Sequence, residues 1–124
     1  METAPLEGEQ GSFRFRREEH LKGRDEIREV FSRGRRFGCR GAKLFVLKNS
    51  LSNNRICFTF SRGFGNAVQR NRARRLGREA YRLLRPRLLG GNDLVFLVYP
   101  ETDAALSVRS EQLRFLFTKA GLLK

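Results

Sequence analysis

The chain has 124 residues, 40% of them hydrophobic and eleven of them Phe, which suits one domain with one modest core and excludes a disordered basic tail. Its 26 Lys and Arg against 13 Asp and Glu leave a formal charge of +13. Self-repulsion of that size opposes compaction, so the charge is read as a footprint for a polyanion, nucleic acid first.

A membrane partner fits poorly. No apolar run approaches the roughly 20 residues of a span, and no basic amphipathic segment is joined to a strong apolar anchor. Residues 1–11 lack the basic and then apolar regions of a signal peptide. Cys39 and Cys57 stand without a CxxC or a His at ligand spacing, as two reduced, buried thiols of a cytoplasmic protein would. A metal site built from them and the lone His20 is discounted.

Residues 1–12 are acidic and non-periodic and are expected to be a disordered leader; the domain then spans 13–124. Phe13-Arg14-Phe15-Arg16-Arg17 interleaves rings with guanidinium groups. That pattern suits stacking on unpaired bases, or equally an extended segment whose rings pack on the domain. Ile27, Val30 and Phe31 recur at i, i+3, i+4 and predict a short helix over 25–33, with Gly34 as a left-handed stop. Leu21 joins the same face if the helix starts earlier, although Gly23 argues for a start near Arg24. Residues 43–47 form a continuous apolar run, a strand covered on both faces, and the Asn/Ser-rich 49–54 is a turn. In 56–61 the alternation is clean: Ile56, Phe58 and Phe60 face a core, while Cys57, Thr59 and Ser61 face the other way.

Between Arg70 and Arg87 lie eight arginines, no lysine and one acid, Glu79. Asn66 is the expected N-cap of this helix, and Gln69 completes a capping box. Val68, Ala73, Leu76, Ala80, Leu83 and Leu84 are its expected core stripe. Arg70, Arg74, Arg78 and Arg82 follow at four-residue steps as a basic ridge, widened by Arg72, Arg75 and Arg85. Like charges at that spacing cost an isolated helix a few tenths of a kcal/mol per pair, roughly, which a merely solvated face has no reason to carry. Phosphate binding by forked guanidinium groups does. Pro86, Gly90 and Gly91 end the helix. Residues 94–99 then read as a central strand, and 107–120 as a closing helix burying Leu113, Leu116, Phe117 and Ala120. The class is α+β or mixed α/β, and a parallel pairing of 56–61 with 94–99 gives a right-handed crossover by base rate.

No protein-encoded catalytic centre is visible. His20 would have to lie inside the fold to serve a Ser-His-Asp or Cys-His arrangement. The acids nearest the basic surface are Glu79, read as an intrahelical partner of Arg75 or Arg82, with Asp93 and Glu101 at the ends of the last strand. What remains is a binding protein with a phosphate ridge and a partly apolar concavity between the first helix and the Thr59–Ser61 face, suited to a single strand.

The run Gly65-Asn66-Ala67-Val68-Gln69-Arg70-Asn71-Arg72-Ala73-Arg74-Arg75-Leu76-Gly77-Arg78 closely resembles the GNAV-x-RNR-x-[KR]-R-x-x-R signature of the bacterial ribonuclease P protein component. The other elements follow in that family's order over residues 14–123. The resemblance implies an α+β single domain, α-β-β-β-α-β-α around a small central sheet, with a left-handed βαβ crossover against the base rate. It implies one protein bound to one catalytic RNA whose Mg²⁺ ions activate the water that removes the 5′ leader of precursor tRNA. It assigns Arg70, Asn71, Arg72, Arg74, Arg75, Arg78 and Arg82 to the RNA subunit, with Asn71 near the RNA-held Mg²⁺ and no metal bound directly by the protein. Ile27, Phe31, Leu44, Val46, Thr59 and Arg62 align with the cleft for the leader. Ile27 and Val46 stand where aromatic residues are common, and Gly63 where Lys is frequent. No membrane and no obligate protein partner are implied, and the place of action is the cytoplasm. The alternative is a non-enzymatic binder of ribosomal or other structured RNA.

Overall fold

The computed structural model describes residues 17–100 and 105–124. The Phe13-Arg14-Phe15-Arg16 pattern, the leader 1–12 and Glu101 therefore lie outside the described residues. Along the described chain come α1 (Arg24–Arg33), β1 (Arg35–Cys39), β2 (Ala42–Lys48), β3 (Arg55–Phe60), α2 (Ala67–Leu84), β4 (Asn92–Val98) and α3 (Leu106–Lys119). Single 3₁₀ turns at Arg17–Glu19 and Arg85–Arg87 flank α1 and follow α2. This is an α+β domain in the order α-β-β-β-α-β-α.

The sheet order is β1-β2-β4-β3. β1, β2 and β4 pair antiparallel, whereas β3 lies parallel to β4 and reaches it through α2. Residue patterning did not foresee β1, because Arg35, Arg36 and Gly38 are exposed and only Phe37 and Cys39 touch the core. An edge strand pairs on one side alone, and charged side chains are common there.

Two apolar clusters lie on opposite faces of the sheet. On one face Leu44, Val46, Ile56, Leu94, Phe96 and Val98 meet Ala80, Tyr81 and Leu84 of α2 and Leu113, Leu116 and Phe117 of α3. On the other, Phe45 and Val95 lie under Val30 of α1 and Leu21, with Ile27, Leu47, Cys57 and Leu97 at the margin. The apolar run of β2 is thus covered on both faces as its composition requires. Each fully buried side chain of this size contributes about 1.5–3 kcal/mol relative to exposure. With Val30 as its one fully buried residue, α1 depends on the sheet and on Leu21 for its place.

Three expectations need correction. Gly34 is not left-handed: its φ is −75° and ψ 158°, extended backbone. Glycine is needed there for space, since a Cβ would fall 2.5 Å from the Val30 carbonyl oxygen and 3.0 Å from that of Val46. In α2, Val68 is 76% and Leu83 51% exposed, and their places in the buried stripe go to Gly77 and Tyr81. Gly77 lets the helix settle on Phe58, whose ring a Cβ would approach to 2.8 Å. Cys39 and Cys57 are half-buried on opposite faces of the sheet rather than fully buried, and burial raises both thiols above their ordinary pKa.

The segment before α1 is tied down. Leu21 N–H donates to the Ile56 carbonyl at 3.0 Å, and His20 bridges to Ile56, covering the outer edge of β3. Glu19 accepts from Arg85 at 2.6 Å with both side chains largely buried, which links this segment to the end of α2. Burial, then the nearby Arg78 and Lys22, lowers the His20 pKa.

Candidate nucleic-acid interface

The surface begins at the entrance to α2. Asn66 Oδ1 accepts from the Gln69 N–H at 2.9 Å, and Gln69 Oε1 accepts from the Asn66 N–H at 3.0 Å, so the capping box is complete. A Cβ on Gly65 would stand 2.3 Å from Gln69 Oε1, which explains the glycine before the cap. Gly63, at φ +77°, supplies the left-handed turn between β3 and the cap, a backbone state that a Lys there would adopt only with strain.

From that cap, Arg70, Asn71, Arg72, Arg75 and Arg78 are exposed along α2, and Arg74 and Arg82 are half-buried. The ridge is therefore not uniform. A four-residue step turns 400°, so the line from Arg70 to Arg82 drifts about 40° per step around the helix. Arg72, Arg75 and Arg78 occupy the outer face, opposite Ala80, Tyr81 and Leu84. Arg74 instead lies over the Phe60 ring at 5.1 Å and donates to Asn71 Oδ1 at 3.0 Å. Arg82 pairs with Glu79, and this hydrogen bond holds the Glu79 carboxyl below the usual carboxylate range and raises Arg82. Arg85 is committed to Glu19.

The second surface lies on the α1 side of the sheet. Thr59, Leu97, Lys43 and Gly38 stand in register across all four strands, forming a floor beyond the end of α1. Along it a hydroxyl is followed by an apolar side chain and a cation; Lys43 Nζ sits 5.9 Å from the Tyr99 ring centre. Phe31, 38% exposed, meets Phe45 edge-on at 4.7 Å and forms the wall with half-buried Ile27. Arg62 is exposed at the β3 end of the floor. Ser61 Oγ is shielded there, with no hydrogen-bond partner among the described residues.

Of the predicted cleft residues, Ile27, Phe31 and Thr59 thus share one side of the sheet and Arg62 is exposed in the turn just past β3, but Leu44 and Val46 lie elsewhere. Both lie in the opposite cluster, 0% and 2% exposed, beneath α2 and α3. Alternation along β2 puts Lys43, Phe45 and Leu47 on the α1 side instead. The aromatic neighbour of Val46 on the α1 side is Phe45, but at 6% exposure it is packed beneath Val30 of α1. Lys43, Phe45 and Leu97 escaped sequence reasoning, although the pairing of β2 with β4 identifies all three.

Asp93, the other described acid weighed as catalytic, serves structure. Asp93 accepts two bonds from Arg55, at 2.8 and 2.7 Å, and one from Asn49 Nδ2 at 2.8 Å. Among the described residues no three His, Cys, Asp or Glu side chains are grouped so as to hold a metal ion. No helix among them is long and apolar enough to cross a membrane.

Comparison with known proteins agrees with this geometry. The family model described as Ribonuclease P matches residues 15–121. The ribonuclease P protein component of Chloroflexus aurantiacus is 41% identical over 111 residues, covering 88% of this chain and 82% of that protein. That of Natranaerobius thermophilus is 44% identical over 83 residues, 67% of this chain and 72% of the relative. The RNase P protein structure from Staphylococcus aureus superposes with a TM-score of 0.77 at 18% identity, over 86% of this chain and 98% of that one. The one from Thermotoga maritima gives 0.72 at 22% identity, over 82% and 96%. The structural likenesses establish the common fold, and the family match over most of the chain, with relatives above 40% identity, establishes descent: the chain belongs to the ribonuclease P protein family.

Proposed function

We propose that the chain is the protein subunit of ribonuclease P, acting in the cytoplasm with one catalytic RNA to remove the 5′ leader of precursor tRNA by hydrolysis. The observation that carries this reading is the outer face of α2. There Asn71, Arg72, Arg75 and Arg78 stand exposed on a capped, well-anchored helix, and the one acid of α2, Glu79, is neutralised by Arg82. Forked donors on a rigid helix suit the phosphates of a folded RNA.

The protein binds and orients, and bond breaking belongs to the RNA. Mg²⁺ held by that RNA supplies the activated water when bound. The leader lies in the groove between α1 and the sheet. Phe31 offers a ring face to a base, Thr59 a hydroxyl, and Lys43 and Arg62 offer cations to phosphates. Fixing the leader there adds binding energy remote from the cleaved bond, which holds the substrate in register.

Competition binding tests the choice of RNA. The protein is expected to bind a bacterial ribonuclease P RNA far more tightly than ribosomal RNA fragments of equal length at the same salt. Preference for the ribosomal fragments would replace this reading by a non-enzymatic structured-RNA binder.

A further inference from the structure

Arg74 differs from its neighbours on α2. It is half-buried where Arg70, Arg72, Arg75 and Arg78 are exposed. Its guanidinium stacks on Phe60, and Phe60 packs against Phe64 with ring centres 4.8 Å apart. Phe64 belongs to the turn that leads into the Asn66 cap, its N–H donating to the Ser61 carbonyl at 3.2 Å. Arg74 is thereby held from below by the Phe60 ring, which Phe64 in turn supports. One of its two Nη1 hydrogens is spent on Asn71 Oδ1, three residues back on the helix.

A guanidinium group only donates, so the atom of Asn71 that faces it is the amide oxygen. Donor–acceptor chemistry alone therefore orients the Asn71 amide, which is otherwise ambiguous between oxygen and nitrogen. The NH₂ group is left pointing away from Arg74, on an exposed residue beside Arg75 and Arg78 on the outer face.

We propose that Arg74 is a positioning residue rather than a phosphate ligand, and that it presents the Asn71 NH₂ as a donor to an acceptor oxygen of the bound RNA. The stack on Phe60 fixes the guanidinium, and the guanidinium fixes the amide. The same arrangement disfavours direct metal ligation by Asn71, because its oxygen already faces a cation that would repel a second one. This rests on the reading that the α2 face binds RNA.

A double-mutant cycle on the full chain tests it, with binding measured across a salt series. The probes are a bacterial ribonuclease P RNA and an unrelated structured RNA of equal length. Arg74→Ala is expected to weaken binding roughly five- to tenfold, the loss of one charge-linked hydrogen bond near the surface. The slope of log affinity against log salt should barely change, since no phosphate contact is lost. Asn71→Ala should cost about as much, and the double variant no more than either single one. Phe60→Leu, which keeps Arg74 and removes only the ring, should reproduce part of the loss. Asn71→Asp keeps the oxygen for Arg74 but replaces the donor, and should bind at least as poorly as Asn71→Ala.

Additive losses with a slope lower by about one unit in Arg74→Ala would overturn the proposal and make Arg74 a phosphate contact. Full binding by Asn71→Asp would overturn it as well, by showing that the RNA requires an acceptor there. Wild-type protein that bound neither RNA would remove the reading of the α2 face, and this inference with it. Tight wild-type binding with additive losses would remove this inference alone.

Discussion

Replacing Arg72, Arg75 and Arg78 together with Ala is expected to weaken binding to ribonuclease P RNA on the order of a hundred- to a thousandfold. The three side chains occupy the outer face of α2 and are exposed. Each charge-assisted contact to a phosphate is taken as about 1–1.4 kcal/mol, just below the usual range for charged hydrogen bonds because the surface is wet. Three such contacts give about 3–4 kcal/mol, and each 1.4 kcal/mol is tenfold. The dependence of log affinity on log salt should fall by about two to three units, since each lost phosphate contact removes up to roughly one. Ala is a better helix former than Arg, so the helix itself should persist, and the melting temperature of the variant separates lost contacts from lost fold. An unchanged salt slope would move the RNA contacts elsewhere on the protein.

Tyr81→Ala is expected to destabilise the fold by about 3–5 kcal/mol, the range for truncating a large buried ring. Tyr81 is fully buried at the point where α2, β3 and α3 meet. Its ring lies 6.3 Å from those of Phe58 and Phe117, edge-on to both. Burial, with Glu19 nearby, raises its hydroxyl above the ordinary tyrosine pKa. Domains of this kind are typically stable by about 5–15 kcal/mol, so a large fraction of the total is at stake. Urea denaturation measures it. Tyr81→Phe keeps all the ring contacts and should recover most of the loss. A cost below about 1 kcal/mol for the Ala variant would contradict the packing that holds the Arg-rich helix on the sheet.

The two surfaces differ in how far they could be read from residue order. Local rules sufficed for α2: Asn66 and Gln69 sit three apart, and the capping box formed as their chemistry requires. They sufficed for β3 too, where alternation separates Ile56, Phe58 and Phe60 from Cys57, Thr59 and Ser61. They are silent about the faces of β2, because Leu44, Phe45, Val46 and Leu47 are all apolar and a strand covered on both faces shows no alternation. Nothing local could therefore check the family resemblance that aligned Leu44 and Val46 with the cleft, and both lie on the other side of the sheet. Gly77 and Tyr81 escaped notice for a related reason. A glycine is buried by the close approach of Phe58, and that approach is a tertiary fact. The pairs Glu19–Arg85 and Arg55–Asp93 join residues far apart in the chain, and nothing local announces them. Within the ridge, spacing marked seven arginines as equivalent, whereas Phe60, Glu79 and Glu19 withdraw Arg74, Arg82 and Arg85 into separate roles.

The central claim is that this arginine-rich helix and the groove beside it serve an active site built from RNA. Processing of precursor tRNA by a bacterial ribonuclease P RNA at low Mg²⁺, with and without the protein, tests that claim most directly. The RNA alone is expected to cleave poorly there, and added protein to restore cleavage at the leader junction, with the triple variant Arg72→Ala, Arg75→Ala, Arg78→Ala failing to do so. Equal processing with and without wild-type protein would contradict the account.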